Sequence, residues 1–460
     1  MQPSLGLQIE ELLNTLSGWI WGPPLLVLLC GTHLFLTFRL GFIQRLLPRG
    51  IRISLATKRE GEGDISHYGA LSTALAATVG TGNIIGVATA ITLGGPGAVF
   101  WMWLTGVFGI ATKYGEALLS VKYRIQKPDG TMAGGPMYVL ERAMNAKWLA
   151  VLFAAFTAVA AFGIGNMVQA NSISANIGHL LEDSFGAGKT AVAASGVICG
   201  LVLATLTGVV ILGGIRKIAL VCAWLVPFMA VAYLVGCLIV LGRNAAHIPE
   251  AIAVILSSAF SGHAAVGAFV GVTMKEAIRF GVARGLFSNE SGLGSAPIVA
   301  AAAQTTHPVR QAMVASTATF WDTVVICAVT GLTLVTSGYW KEGYQSTKLT
   351  QAAFGDVPYI GPALLTVGLL TFIFSTILGW AYYGERAAEY LFGPRAIRPY
   401  RWLWVLAVFC GSVFSLDAVW AFADIANGLM AIPNLISLIA LSGVIAAETR
   451  EYLRSHPRGE

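Results

Sequence analysis

Stretches of apolar residues long enough to cross a bilayer recur along this chain, near 18–40, 69–93, 98–122, 148–180, 190–213, 217–242, 252–283, 309–337, 358–391, 400–423 and 427–447. Lipid offers no hydrogen bonds, so each such segment must satisfy its own backbone, which confines the chain to a bundle of helices. Composition agrees: 11% of the 460 residues are charged, where an average soluble protein has about 25%. Mean hydropathy is +0.71. The expected class is an all-α polytopic membrane protein with about eleven transmembrane helices. Its six cysteines all fall in apolar segments without CxxC spacing, which implies neither a disulfide framework nor a metal site.

Basic residues set the expected orientation. Arg39, Arg45, Arg49, Arg52, Lys58 and Arg59 follow the first stretch; Lys122, Arg124, Lys127, Arg142 and Lys147 follow the third; Arg216 and Lys217 follow the fifth. Lys275, Arg279, Arg284 and Arg310 surround the seventh-to-eighth connection, Arg386, Arg395, Arg398 and Arg401 follow the ninth, and Arg450, Arg454 and Arg458 end the chain. The alternate connections hold only Lys189, Arg243, Lys341 and Lys348. The N-terminus is therefore expected outside and the C-terminus in the cytoplasm, in a cytoplasmic membrane. The net charge of +6 is explained by these loops and calls for no nucleic-acid partner. Residues 1–17 carry Glu10 and Glu11 and no basic residue, unlike a cleavable signal, and Leu5, Ile9, Leu12, Leu13 and Leu16 predict a short interfacial helix.

Within 69–93 the chain reads Ala77-Thr-Val-Gly-Thr-Gly-Asn-Ile-Ile-Gly86. Glycines around an asparagine at membrane depth predict a helix that is interrupted, which lipid tolerates only where the backbone lines a protein cavity. If the first span is set aside, ten remain, and the first of each five is interrupted: here, and at Ser261–Gly271, which holds Gly262 and Gly267. Paired interruptions in two halves point to an inverted-repeat transporter with a central site. Glycines there also allow close helix packing, the competing explanation. The expected organisation is an interfacial helix and extra span over 1–45, repeats over 66–245 and 250–448, and a cytoplasmic tail over 449–460.

Gly80-Thr-Gly-Asn-Ile-Ile-Gly86, Gly134-Gly-Pro-Met-Tyr138 and Gly281-Val-Ala-Arg-Gly-Leu-Phe-Ser-Asn-Glu-Ser-Gly-Leu-Gly-Ser295 resemble the signatures of the alanine or glycine:cation symporter family. The resemblance covers essentially the whole chain. It implies the LeuT-like five-plus-five inverted repeat with one extra N-terminal span, no cofactor, sodium as coupling ion, and a small neutral amino acid, alanine or glycine, as substrate.

A zwitterionic substrate needs donors for its carboxylate and acceptors for its ammonium, supplied with few full charges. The expected donors are the N–H groups of Thr81 and Gly82 at the start of the second half-helix, aided by the Asn83 amide, with Thr78 and Gly80 completing the expected substrate-binding stretch. Carbonyls released between Ala264 and Gly271, among them that of Gly267, or the Gln169 side chain would accept from the ammonium. Gln169 shares a helical stripe with Gly165, Ser172 and Asn176, which could equally glue helices together. Phe269 is the candidate to close the pocket. The resemblance further implies a sodium site from the Ser375 and Thr376 hydroxyls with the carbonyls of Ala76, Val79 and Phe372; such hydroxyls also bond their own helix.

Other intramembrane charges allow alternatives. Asp322 could serve a cation or proton pathway, making a proton-coupled carrier the main rival, or it could be structural. Lys113 and Glu116 are expected to pair along one helix. The run Arg279–Ser295 is expected as a cytoplasmic connection with Arg284 paired to Glu290. No charged rings suggest a channel, and His179, His247, His263 and His307 fall at predicted span ends, not where an intramembrane enzyme needs them. The Gly80–Gly86 run is one residue too long for a dinucleotide fingerprint, and Phe185-Gly-Ala-Gly-Lys-Thr190 lacks the first phosphate-loop glycine.

Overall fold

A computed structural model describes residues 5–56, 61–186, 188–260, 273–344, 346–414 and 417–456. The chain is nearly all helix. Helices α1 (Leu5–Ile20), α2 (Pro23–Arg39) and α3 (Leu47–Ser54) precede the first interrupted helix, α4 (His67–Thr78) and α5 (Val87–Gly94). Then come α6 (Ala98–Lys122), a two-stranded hairpin of β1 (Ile125–Gln126) and β2 (Met132–Ala133), α7 (Pro136–Met144), α8 (Lys147–Phe162), α9 (Val168–Phe185), α10 (Lys189–Ile211) and α11 (Gly214–Arg243). The second half holds α12 (Ile248–Phe260), α13 (Met274–Asn289), α14 (Pro297–Ala300), α15 (Pro308–Thr319), α16 (Ala328–Ser337) and α17 (Ser346–Gly355). It ends with α18 (Ile360–Phe392), α19 (Ile397–Val413), α20 (Asp417–Ala440) and α21 (Ser442–Ser455).

Among the described residues, 7 helical runs are long and apolar enough to span a membrane, and the pair α4 and α5, bent by 54°, makes an eighth. Leu201, Val202, Leu206 and Val209 of α10 and Trp224, Phe228, Val231 and Leu238 of α11 point outward. Such broad apolar faces would aggregate in water and suit lipid.

The polar residues lie inside. Three π-turns, Gly82–Gly86, Gly163–Met167 and Phe320–Cys327, interrupt the helices around one central region. Each π-turn displaces one residue from the regular ladder and frees backbone groups, a feature common at functional sites.

The two ends of the bundle differ. At one, a cavity of about 1360 Å³ reaches inward between α9, α13 and the α17 segment. At the other, Asp64 N–H donates to Ala302 O at 2.8 Å and Gln304 N–H to Ile65 O at 2.7 Å, joining the chain before α4 to that after α14. Arg124 donates to the carbonyls of Glu62, Ala301 and Ala303 across this seam. Lys127 of the hairpin pairs with Glu389 at 2.7 Å, and Arg386 with Glu385 at 2.8 Å. Asp64 accepts from Met132 N–H at 3.0 Å, while partial burial pushes its carboxyl above its ordinary value. This end is sealed.

Two expectations need correction. Arg279–Ser295 is not a connection at the sealed end: α13 lies beside the turn joining α5 to α6, where a Cβ on Gly94 would come 3.1 Å from Glu276 O, and Arg284 lines the vestibule. Lys275, Arg279 and Arg284 thus belong to the vestibule end, which reduces the charge asymmetry without reversing it. The sequence pattern misled because a polar, basic helix wall beside a water-filled cavity has the same composition as a cytoplasmic loop.

Candidate functional site

The first break is where the glycine-asparagine run predicts one. Helix α4 ends at Thr78, whose hydroxyl bonds back to Ala74 O at 3.1 Å. Val79 is extended, and Gly80 N–H donates to Asn83 Oδ1 at 2.9 Å, so the asparagine caps the gap from within. A Cβ on Gly80 would lie 2.6 Å from Thr376 Oγ1, so only glycine brings the break against α18. Thr81 and Gly82 open the outer half-helix, whose first N–H groups have no preceding turn to bond. Both residues line the vestibule floor.

Three side chains, Ser375, Thr376 and Gln169, converge on this break. Ser375 Oγ donates to Ala76 O at 3.1 Å and Phe372 O at 2.8 Å, and Thr376 Oγ1 donates to Phe372 O at 3.0 Å. The hydroxyls expected for sodium therefore meet the carbonyls of Ala76 and Phe372, and the chemistry of this neutral oxygen set fits a hard monovalent cation. Gln169 donates to Ile164 O, freed by a π-turn, at 3.0 Å, and to Thr81 Oγ1 at 3.4 Å. Its Oε1 is buried with no hydrogen-bond donor among the described residues. Of the rest of its stripe, Ser172 and Asn176 line the vestibule, whereas Gly165 packs against Trp380.

The Asn83 amide does not face the vestibule. It donates to Asp322 Oδ1 at 2.8 Å and Asp322 O at 3.2 Å, so the asparagine shapes the break and ties it to the bundle. Asp322, wholly buried, also accepts from Ser288 Oγ at 3.0 Å and Thr323 Oγ1 at 2.6 Å. Among the described residues no cluster of three or more His, Cys, Asp or Glu is arranged to hold a metal.

Gly267, Phe269 and Gly271 lie outside the described residues. A second break is nevertheless present at Glu290–Ala296, between α13 and α14. Glu290, Gly292 and Gly294 have φ of 55°, 92° and 86°. The carboxylate of Glu116 accepts from the N–H groups of Gly292 and Gly294 at 3.1 and 3.0 Å and from the Asn434 amide at 2.7 Å. Glu290 accepts from Trp380 Nε1 at 2.9 Å and from the Ser295 hydroxyl. It is therefore not paired with Arg284, and Lys113 and Glu116 are not a self-contained pair, because Glu116 turns to the break. The signal was present: Ser288-Asn-Glu-Ser-Gly-Leu-Gly294 has the glycines and amide of the first break, but its charged flank obscured its depth.

A broken apolar helix meeting a hydroxyl-bearing helix beneath a vestibule, in a bundle of long apolar helices, defines a polytopic membrane protein. The profile of the Sodium:alanine symporter family matches residues 7–460. The chain is 50% identical over 457 residues to the sodium/alanine symporter AgcS of Methanococcus maripaludis, covering 97% of this chain and 98% of that one. It is 49% identical over 453 residues to an uncharacterized transporter of Haemophilus influenzae, covering 97% of each. A more distant relative, a putative sodium/proton-dependent alanine carrier of Bacillus subtilis, is 34% identical over 470 residues, covering 98% of this chain and 94% of that one. The chain belongs to the sodium:alanine symporter family, a family of transporters.

Proposed function

We propose that this protein is a secondary active symporter of the cytoplasmic membrane, with a LeuT-like inverted repeat of five plus five spans. It couples inward sodium flow to uptake of alanine or glycine by alternating access. The observation that carries this reading is the meeting of Ser375 with Ala76 O, within one short segment of Thr81 and Gly82. Sodium is held by the hydroxyls of Ser375 and Thr376 and the carbonyls of Ala76, Val79 and Phe372. The substrate carboxylate sits on the N–H groups of Thr81 and Gly82, and Gln169 Oε1 accepts from its ammonium. Thr78, Gly80 and Asn83 hold the segment in shape.

Ion and solute thus share one break, and each stabilises the arrangement that binds the other. One positive charge entering down about 100 mV contributes about 2.3 kcal/mol before any concentration term. The vestibule faces outside and the sealed end the cytoplasm, an orientation supported by Arg124, Lys127, Arg386 and Arg401 at the sealed end. Release inward requires parting of the seam between residues 62–65 and 302–305.

A second reading has Asp322 carrying a coupling proton, favoured by its bond to Asn83 at the first break. Labelled alanine uptake into proteoliposomes separates the two, using sodium and proton gradients imposed separately and glycine, serine and D-alanine as competitors. A sodium gradient alone should drive accumulation. Accumulation driven by a proton gradient without sodium, and lost in Asp322→Asn, would replace sodium with the proton.

A further inference from the structure

Lys113 lies in the middle of α6 with 1% of its surface exposed. Its ammonium has no hydrogen-bond partner among the described residues. An uncompensated ammonium at such depth is costly, so its surroundings must supply opposite charge. They do so from three elements. Glu116 lies one turn on along the same helix. Glu290 is bonded to Ser295, next to Ala296, with which Lys113 lines one cavity. Asp322 adjoins Thr323, which packs against Gly106 two turns back along α6, while Ser291 of the second break packs against Gly109 one turn back.

Each of these acids holds a piece of the breaks. Asp322 takes the Asn83 amide, Glu116 takes Gly292 and Gly294 N–H, and Glu290 joins the second break to Trp380 of α18. The arrangement is crossed: a helix of the first half supplies the acid for the second break, and a helix of the second half supplies the acid for the first. Among the described residues, other titratable groups beside the cluster are His33 of α2, bonded to Thr112, Cys327, which shares Asn83 and Ser288 with Asp322, and Tyr383 of α18, set edge-on to the Trp380 ring that donates to Glu290. On its other side Lys113 meets Leu71 and Ala74 of α4, Ala296 after the second break, and Gln311 of α15 around a cavity of about 10 Å³. His67, bonded to Gln311 at 2.6 Å, stands behind that wall.

We propose that Lys113 is a positioning residue: a built-in cation, shared by Glu116, Glu290 and Asp322, whose charge locks the two breaks into one unit. It touches neither substrate nor sodium. Three buried carboxylates holding neighbouring parts of the breaks repel one another, and a buried ammonium among them lets them stay charged without bonding rigidly to any one. A neutral side chain of similar length leaves the shape and removes that balance. Protons must then replace the missing charge.

This inference rests on the symport reading only for its transport readout, so thermal unfolding of the purified protein is measured beside uptake. Lys113→Met should lower alanine uptake at neutral pH about tenfold or more. Both its uptake and its melting temperature should recover toward acid pH, unlike those of the unmodified protein. Lys113→Met with Glu116→Gln should regain most of the uptake at neutral pH and lose the acid recovery, because glutamine Oε1 still accepts from Gly292 and Gly294 with one negative charge fewer. Lys113→Met with unchanged uptake, melting and pH profile overturns the proposal. So does a double variant that fails as badly as Lys113→Met, since shape rather than charge is then at stake. Failure of the unmodified protein to use sodium refutes the symport reading and leaves the melting comparison to judge Lys113.

Discussion

The first break opens to the vestibule through Thr81 and Gly82, whereas every residue from Glu290 to Ala300 in and after the second break is buried. Both contain glycines and an amide, but their polar groups are used differently. In the second, Gly292 N–H, Gly294 N–H and Gly292 O are taken by Glu116 and Asn434. In the first, Asn83 closes the gap, and the outer half-helix start and Gln169 Oε1 are left for something else. A break can bind a solute only if some of its groups remain unspent, and it can serve as a fixed wall only if they are spent. On this comparison the first break is the binding element and the second is its support.

The largest effect that would break this contrast is at Glu116. Glu116→Ala strands two buried N–H groups and an amide, a loss of about 3 kcal/mol or more, read as a fall in melting temperature in detergent. Glu116→Gln keeps the acceptor and should lose much less. Equal melting of Glu116→Ala and the unmodified protein would mean that the second break holds itself. Next comes Gly294→Ala: φ of 86° and a Cβ 2.7 Å from Phe153 Cε2 predict a loss of about 1–3 kcal/mol. Gly82→Ala sharpens the contrast from the other side, since its Cβ would meet Ser288 Cα at 3.3 Å, a tight contact relieved when the neighbour gives by a few tenths of an ångström. It should leave melting within about 1 kcal/mol yet cut alanine uptake.

Much of this was legible in the sequence, and the limits have physical reasons. The first break was readable because lipid forbids irregular backbone, so Gly80 and Gly82 beside Asn83 stand out against an apolar background. Ser375 and Thr376 were readable only through family resemblance, since adjacent hydroxyls on an apolar helix usually bond their own preceding turn, and here they do that as well. The second break escaped because its partner groups, Glu116 and Asn434, are remote in sequence, and no local pattern says that a glutamate in α6 will cap glycines in another half. Lys113 and Glu116 were misjudged for the same reason: spacing on one helix shows that two residues can meet, not that a better acceptor waits nearby.

A smaller effect is expected at Gln169. Gln169→Ala removes the unspent acceptor beside Thr81, and a hydrogen bond to a charged ammonium contributes about 1.5–3 kcal/mol, so half-saturation for alanine should rise at least about tenfold while the sodium requirement moves less. An unchanged alanine requirement would place the ammonium elsewhere.

The most direct test of the division between the two breaks is a sodium titration of labelled alanine uptake in proteoliposomes, comparing Ser375→Ala with Glu116→Gln. If the first break and α18 hold the coupling ion, Ser375→Ala should raise the sodium concentration for half-maximal uptake about threefold or more, while Glu116→Gln leaves it in place. Unchanged sodium dependence in Ser375→Ala, or an equal displacement in Glu116→Gln, would contradict it.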